Sequence, residues 1–412
     1  MAEELTVWLH GEPIGALSRK RNGASFRYLP GLVAERRGLP LLSVSLPVQS
    51  EPFDAGATRN WFVGLLPEDQ QLVEVQRRFR LSAGDYLTML AEIGWECAGA
   101  VVIAPARTNP PDGSLQVLTD ADLARRLTAL PARPYDEDDA LRVSLGGFQA
   151  KMLAIRTAEG WALPLGGAIS THILKPQSAT HWPGLIEAEA WAMVAAASVT
   201  ETAEVEVLHV EDAPPTLAVT RFDRETTGAS LRRLHQEDAA QALGLAPEAK
   251  YASSGAPSRS DPSYLGIARI LERYAASPPQ QLERLLRQVT VNVALGNTDA
   301  HAKNYSLLRP GPGTVELSPM YDVAPTFLIN PATPEMGLRV DQTLLLERVT
   351  GNKLVAEGMS WGMAKPRATE VVGESLAALE AGMARATGFY PASEERLLRF
   401  GQARVASLRN TL

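Results

Sequence analysis

From about residue 141 to residue 222 this chain reads as one strand after another, and from 223 onward it reads mainly as helix. That change of pattern constrains the fold more than any other feature, because a strand block followed by a helix block predicts an α+β architecture of two lobes. The strand signals are short apolar runs: L-R-V-S-L, A-K-M-L-A-I-R, T-H-I-L-K-P, V-E-V-L-H-V and T-L-A-V-T-R-F. One helix, from about Leu185 to Ser198, falls between the third and fourth of them. Helical spacing then covers 237–244, 263–276, 278–295 and 367–386, interrupted by a hairpin, Y-S-L-L-R, P-G-P-G, T-V-E-L-S-P.

Ahead of these lobes, residues 1–105 read as a separate α+β subdomain. L-T-V-W-L-H and G-E-P-I-G-A-L-S form a hairpin, L-L-S-V-S-L-P a further strand, and Arg59–Leu66 and Leu72–Phe79 two helices split by Pro67. A-G-A-V-V-I-A-P closes the unit as a short strand. Residues 106–140 read as linker, being rich in Pro, Gly and polar residues at R-T-N-P-P-D-G-S and acidic from Pro131 to Asp139. The expected division is therefore 1–105, 106–140, 141–222 and 223–412.

Cys97 is the only cysteine, which excludes an internal disulfide and any cysteine-based zinc site. The N-terminus has no apolar core of signal-peptide length, and no apolar run is long enough to span a bilayer. A cytoplasmic protein with no membrane partner is expected. A net charge of -7 disfavours unaided binding to nucleic acid.

The residues that carry chemistry cluster in N-T-D-A-H-A-K-N, 297–304, and in M-Y-D, which ends at Asp322. Phosphoryl transfer from Mg-ATP needs one carboxylate to accept a hydroxyl proton, and an amide with a second carboxylate to hold magnesium. Asn304 stands five positions after Asp299, the spacing of the kinase pattern H-R-D-x-x-x-x-N. The helix before the run ends near Gly296, and the hairpin after it returns the chain so that Asp322 can meet Asn304. Asp299 and Asn304, taken alone, are also ordinary turn formers. His301, in the same run, is counted with the catalytic and the nucleotide-binding groups.

Upstream, Ser144-Leu145-Gly146-Gly147-Phe148-Gln149-Ala150-Lys151 lies between two strand-like runs. Glycines there let backbone N–H groups approach phosphate oxygens, or simply make a hairpin turn. Ser144 at its edge is either a half-buried strand serine or a phosphorylatable switch. Lys175 ends the run T-H-I-L-K-P, where kinases place a lysine for the α- and β-phosphates and pair it with a helix glutamate. The following helix offers Glu187 and Glu189, of which Glu189 is the preferred partner. A lysine snorkelling from a sheet edge is the alternative. Phe222, in A-V-T-R-F-D-R, is either an adenine contact at the lobe junction or a core aromatic. Q-E-D, 236–238, reads as a helix start, structural rather than chemical.

Over nearly its full length the chain resembles the HipA family, the serine/threonine kinase toxins of bacterial HipBA toxin–antitoxin modules. The resemblance rests on I-G-A-L-S, L-S-V-S-L-P, G-L-L-P-E-D and E-I-G-W-E-C-A-G-A-V in the first part. In the second it rests on R-V-S-L-G-G-F-Q-A-K, T-H-I-L-K, R-F-D-R, H-Q-E-D-A-A-Q-A-L-G, K-Y, T-D-A-H-A-K-N and Y-D. It implies a protein-kinase-like fold with ATP and Mg2+ as cofactors. Asp299 is then the base, Asn304 and Asp322 the metal ligands and Lys175 the phosphate lysine. The loop Ser144–Lys151 is the phosphate cover, Phe222 lies at the adenine hinge, and Ser144 is the site where autophosphorylation ejects the loop and switches the enzyme off. Two departures stand out, Ala150 and Thr220, each at a position where the family often has Glu.

The resemblance further implies a HipB-like helix-turn-helix antitoxin as partner, and operator DNA through that complex. It implies an aminoacyl-tRNA synthetase, the glutamyl enzyme first, as the target whose phosphorylation starts a starvation response with growth arrest. Two rival expectations are a small-molecule phosphotransferase, which shares the catalytic-loop logic, and a regulatory co-repressor acting with its antitoxin.

Overall fold

The computed structural model describes residues 3–82, 84–130, 149–178, 183–227, 230–258, 260–330, 333–388 and 394–412. They divide into two compact units. The first takes in Met1–Ala179, Leu208–Glu237 and Leu308–Gly313, and the second Thr180–Val207, Asp238–Leu307 and Thr314–Leu412.

In the first unit, β1 (Glu4–Leu9), β2 (Glu12–Lys20), β3 (Gly23–Tyr28) and β4 (Val101–Pro105) form an antiparallel sheet in the order β3-β2-β1-β4. Leu5, Val7 and Leu9 alternate inward along β1 and pack with Leu17, Phe26, Trp61, Phe62, Leu90 and Ile103. Gly15 is required where β2 passes Phe26, since a Cβ would stand 2.5 Å from that ring. The helices Ala55–Val63 and Tyr86–Ile93 begin at Asp54 and Asp85, whose carboxylates accept from Ala57 N and Thr88 N.

The strand expected over L-L-S-V-S-L-P is not a strand. Leu42 and Leu46 are fully buried, but side chains rather than a neighbouring ladder satisfy their backbone. The Tyr28 hydroxyl donates to Leu46 O at 2.6 Å and accepts from Leu42 N, while Val44 N donates to Glu237 Oε1 at 2.9 Å. Prolines at 40 and 47 bracket the run and leave few positions able to pair.

A second antiparallel sheet within this unit runs in the order β5 (Ser114–Val117), β7 (Gly160–Leu165), β6 (Met152–Thr157), β8 (His172–Pro176) and the strand Thr216–Thr220. The stretch read as linker thus supplies an edge strand. It also supplies the helix Asp120–Ala129, capped by Thr119 and burying Leu123 and Leu127 against Met152, Trp161 and Leu174.

A buried charge network ties Glu96 and Cys97 to Arg221, Asp223, Arg224 and Arg233. Glu96 accepts from Arg224 Nη2 at 2.8 Å, Arg233 Nε at 3.1 Å, Arg221 Nη1 at 3.4 Å and Ser170 Oγ at 2.7 Å. Asp223 takes both Arg221 Nε and Nη2, and Gly99 N at 2.7 Å. Arg221, Arg224, Asp223 and Glu96 side chains are 2–3% exposed. Opposed by desolvation, the surrounding guanidinia still hold Glu96 down at about 2 and Asp223 lower still. E-C-A-G-A and R-F-D-R therefore meet across more than 120 residues as the joint between the two sheets.

Q-E-D divides its work. Asp238 caps the short helix Ala239–Ala242 in a capping box with Gln241. Glu237, 1% exposed, is not at the helix start but lies within the strand His235–Asp238 and binds Ser43 Oγ, Val44 N, Trp61 Nε1 and Arg309.

In the second unit the helix Pro278–Leu295 is central and almost wholly buried from Leu285 on. Prolines at its start and Gly296, at φ +71°, at its end set the bounds. Lys365–Arg385 packs on it and on Leu185–Ala196, with Gly382 so close to Ala195 O that a Cβ would stand 2.4 Å away. The unit also holds the helix Tyr264–Tyr274, expected from the sequence, and the helices Gly351–Ser360 and Glu394–Arg409 and the paired strands Glu335–Val340 and Thr343–Leu345, which were not.

Candidate active site

The left-handed turn at Gly296 throws the chain out of its helix into the run that carries Asp299, and hydrogen bonds fix that run from its first residue. Asn297, 1% exposed, donates from Nδ2 to Asn292 Oδ1 at 2.9 Å and to Asp322 O at 3.1 Å. Asn292 in turn donates to the Tyr305 hydroxyl at 2.8 Å, which pairs with that of Tyr264 at 3.1 Å. Thr326 Oγ1 accepts from Thr298 N at 2.8 Å and Asp299 N at 3.3 Å.

The loop then folds on itself. Asp299 O accepts from His301 N at 2.7 Å and from Asn304 Nδ2 at 3.0 Å, and His301 O accepts from Asn304 N at 2.9 Å. The bond from Nδ2 directs the amide oxygen of Asn304 the other way. Gly337 backs the loop: a Cβ there would stand 2.6 Å from His301 N. Ala302 N donates to Lys250 O at 3.0 Å and Tyr321 OH to Lys303 O at 2.7 Å. Asp322 itself sits at φ +53°. Asp299, His301, Asn304 and Asp322 thus share one braced neighbourhood inside the second unit, linked through Asn297.

Tyr251 covers the carboxylate. Its hydroxyl donates to Asp299 Oδ1 at 2.5 Å, its ring meets the His301 ring edge-on at 4.8 Å, and Lys250 Nζ stands 5.5 Å from its centroid. Sequence reasoning assigned no role to Tyr251, Asn297, Thr326 or Gly337. The K-Y pair was the one available signal.

Among hard oxygen donors, the Asn304 amide and the Asp322 carboxylate suit a magnesium ion, which keeps several ligands from water or phosphate. Among the described residues no group of three or more His, Cys, Asp or Glu could hold a metal by itself. A cation here would need water or phosphate oxygens to complete its shell.

In the first unit Lys175 lies on β8 opposite Leu217 and is 5% exposed. Gln149 O accepts from Gln71 Nε2 at 3.0 Å, Ala150 packs against the core of the second sheet, and Lys151 is half-buried. Ser144, Gly146, Gly147 and Phe148 lie outside the described residues. Phe222 is half-buried between the two network residues Arg221 and Asp223. Thr220 Oγ1 is 3.4 Å from His172 Nε2. Glu189 is 4% exposed on the helix Leu185–Ala196, in the second unit, and Glu187 is half-buried there. No helix among the described residues is long and apolar enough to cross a membrane.

Comparison with known proteins gives two family matches: the HipA N-terminal domain over residues 5–104 and the HipA-like C-terminal domain over 143–383. Y4mE of Sinorhizobium fredii is 35% identical over 364 residues, 86% of this chain and 83% of that protein. The serine/threonine-protein kinase toxin HipA of Shewanella oneidensis is 26% identical over 355 residues, 82% of this chain and 79% of that one. A solved structure of the Shewanella oneidensis toxin–antitoxin system, HipA with HipB and its operator DNA, aligns with a TM-score of 0.83 at 21% identity, over 99% of both chains. The α+β, protein-kinase-like fold expected from the sequence is the fold this likeness shows.

Proposed function

This chain belongs to the HipA family, and from that premise we propose that it is an ATP- and magnesium-dependent protein serine/threonine kinase, the toxin of a two-protein module. The observation that carries the reading is the hydroxyl on Asp299. A phenol oxygen 2.5 Å from Oδ1 is placed as the hydroxyl of a serine substrate would have to be for its proton to be taken. The substrate oxygen bonds to the γ-phosphorus, its proton passes to Asp299, and ADP leaves with the electron pair of the broken P–O bond. Bound magnesium would neutralise the phosphate charge; Asn304 and Asp322 would hold it.

Lys175, with Glu189 as its partner, grips the α- and β-phosphates, and the loop Ser144–Lys151 covers them. Phe222 contacts the adenine and His301 the reacting phosphate. Ser144 is the autophosphorylation site and off switch. The target is an aminoacyl-tRNA synthetase and the setting the cytoplasm. A HipB-like helix-turn-helix protein binds the chain and brings it to operator DNA, as the Shewanella complex suggests by its composition. The charge of -7 favours a basic partner.

Mass spectrometry after incubation with Mg-ATP tests this. A phosphate on Ser144, absent from Asp299→Asn, supports the kinase. ATP consumed only when a small alcohol is added would support a small-molecule phosphotransferase instead.

A further inference from the structure

A cavity of about 610 Å³ opens within the first unit, and none of its lining residues is among those assigned above to phosphoryl transfer. Its chemistry is one-sided. His10, Arg36, Arg232, Arg233, His235 and Arg309 line it, with no Asp or Glu among the described lining residues, and the loop P-G-P-G, 310–313, forms part of its wall. We propose that this cavity binds a small multivalent anion of the polyphosphate class, a ligand no larger than a nucleotide.

Three observations support the assignment. First, the carboxylates that pair with these arginines stand outside the lining: Glu225 with Arg232, Glu96 with Arg233, Glu237 with Arg309. A guanidinium held from behind is pre-organised for an anion in front, and its fork of donors matches phosphate oxygens. Second, positive charge remains after that pairing. Arg36 has no carboxylate partner among the described residues, and the network behind Arg233 sets Arg221, Arg224 and Arg233 against only Glu96 and Asp223. Third, Arg309, with its side chain 4% exposed, leaves Nε and Nη1 without a hydrogen-bond partner. A buried guanidinium with unmet donors is costly, and anion oxygens are what relieve it. The volume falls within the range of small-molecule sites. The concavity and the acidic overall charge argue against a nucleic-acid strand.

Titration calorimetry of the full chain with inorganic tripolyphosphate, without magnesium, tests the proposal. Binding should persist in Lys175→Ala and weaken about tenfold or more in Arg36→Glu and in Arg232→Glu, as losing one charge-assisted hydrogen bond would do. Arg232 is 64% exposed, so its replacement should leave folding intact. Hydrogen exchange on the wild type needs no variant and should show ligand-dependent protection over 9–11, 231–235 and 310–313. Binding that vanishes with Lys175→Ala, binding unchanged in both arginine variants, no protection in those segments, or no binding at millimolar ligand would each overturn it.

Discussion

Replacing Glu96 by Gln should be among the most destabilising single changes in the first unit that leave side-chain volume unaltered. The carboxylate accepts from three arginines and from Ser170 while 3% exposed. Glutamine keeps the shape, removes the charge and turns an amide donor toward guanidinium donors. Arg221 and Arg224 would then keep only Asp223, and Arg233 would lose its carboxylate. Breaking a buried pair by removing one partner costs about 3–5 kcal/mol. The drop of the Glu96 carboxyl from 4.5 to about 2 converts independently to roughly 3 kcal/mol.

Arg233→Gln is the control. It leaves two arginines facing two carboxylates, and Arg233 is the most exposed of the three at 16%, so the cost should be nearer 1 kcal/mol. Urea unfolding read by hydrogen exchange on β1 and β4 measures both. The sign with pH follows from the lowered carboxyl. Its contribution is complete above the ordinary value near 4.5 and is lost as pH falls toward about 2. A Glu96→Gln protein within 1 kcal/mol of wild type, or Arg233→Gln costing more than Glu96→Gln, would refute the charge-balance reasoning.

Other substitutions probe the second unit and the thiol. Tyr251→Phe removes the hydroxyl on Asp299 and should raise kcat/KM for a protein substrate by up to about tenfold, with nucleotide affinity unchanged in equilibrium binding. Gly296→Ala places a Cβ 2.7 Å from the Phe400 ring at φ +71°, and should cost about 1–3 kcal/mol in chemical denaturation. Burial pushes the Cys97 thiol up to about 12, so native protein at pH 8 should resist iodoacetamide while urea-unfolded protein is labelled, as mass spectrometry would show.

What was legible in the sequence was whatever local chemistry decides. Pro278, Pro279 and Gly296 bracket a helix because one set lacks N–H groups and the other residue tolerates a positive φ, so its bounds could be read directly. The family was legible because many short segments recur in order. Leu42 and Leu46 misled because burial and strand pairing usually coincide, whereas here Tyr28 and Glu237 supply the hydrogen bonds. Ser114–Val117 lay hidden because its partner, Gly160–Leu165, is more than 40 residues away and the prolines before it signal a loop.

The same distance concealed the bracing of Asp299. Tyr251, Thr326 and Gly337 arrive from three separate segments, and nothing near 299 announces them. R-F-D-R was read for a lobe junction, while three of its four residues bond to Glu96, Cys97 or Gly99. A charge network of that span cannot be inferred from either end alone.

Asp299 is proposed to accept the proton of a hydroxyl phosphorylated from Mg-ATP. Single-turnover transfer of the γ-phosphate to protein, measured for wild type and Asp299→Asn alongside nucleotide binding, tests it most directly. The expected result is unchanged binding with transfer slowed about 10²- to 10⁴-fold. Transfer by Asp299→Asn at the wild-type rate would contradict the assignment.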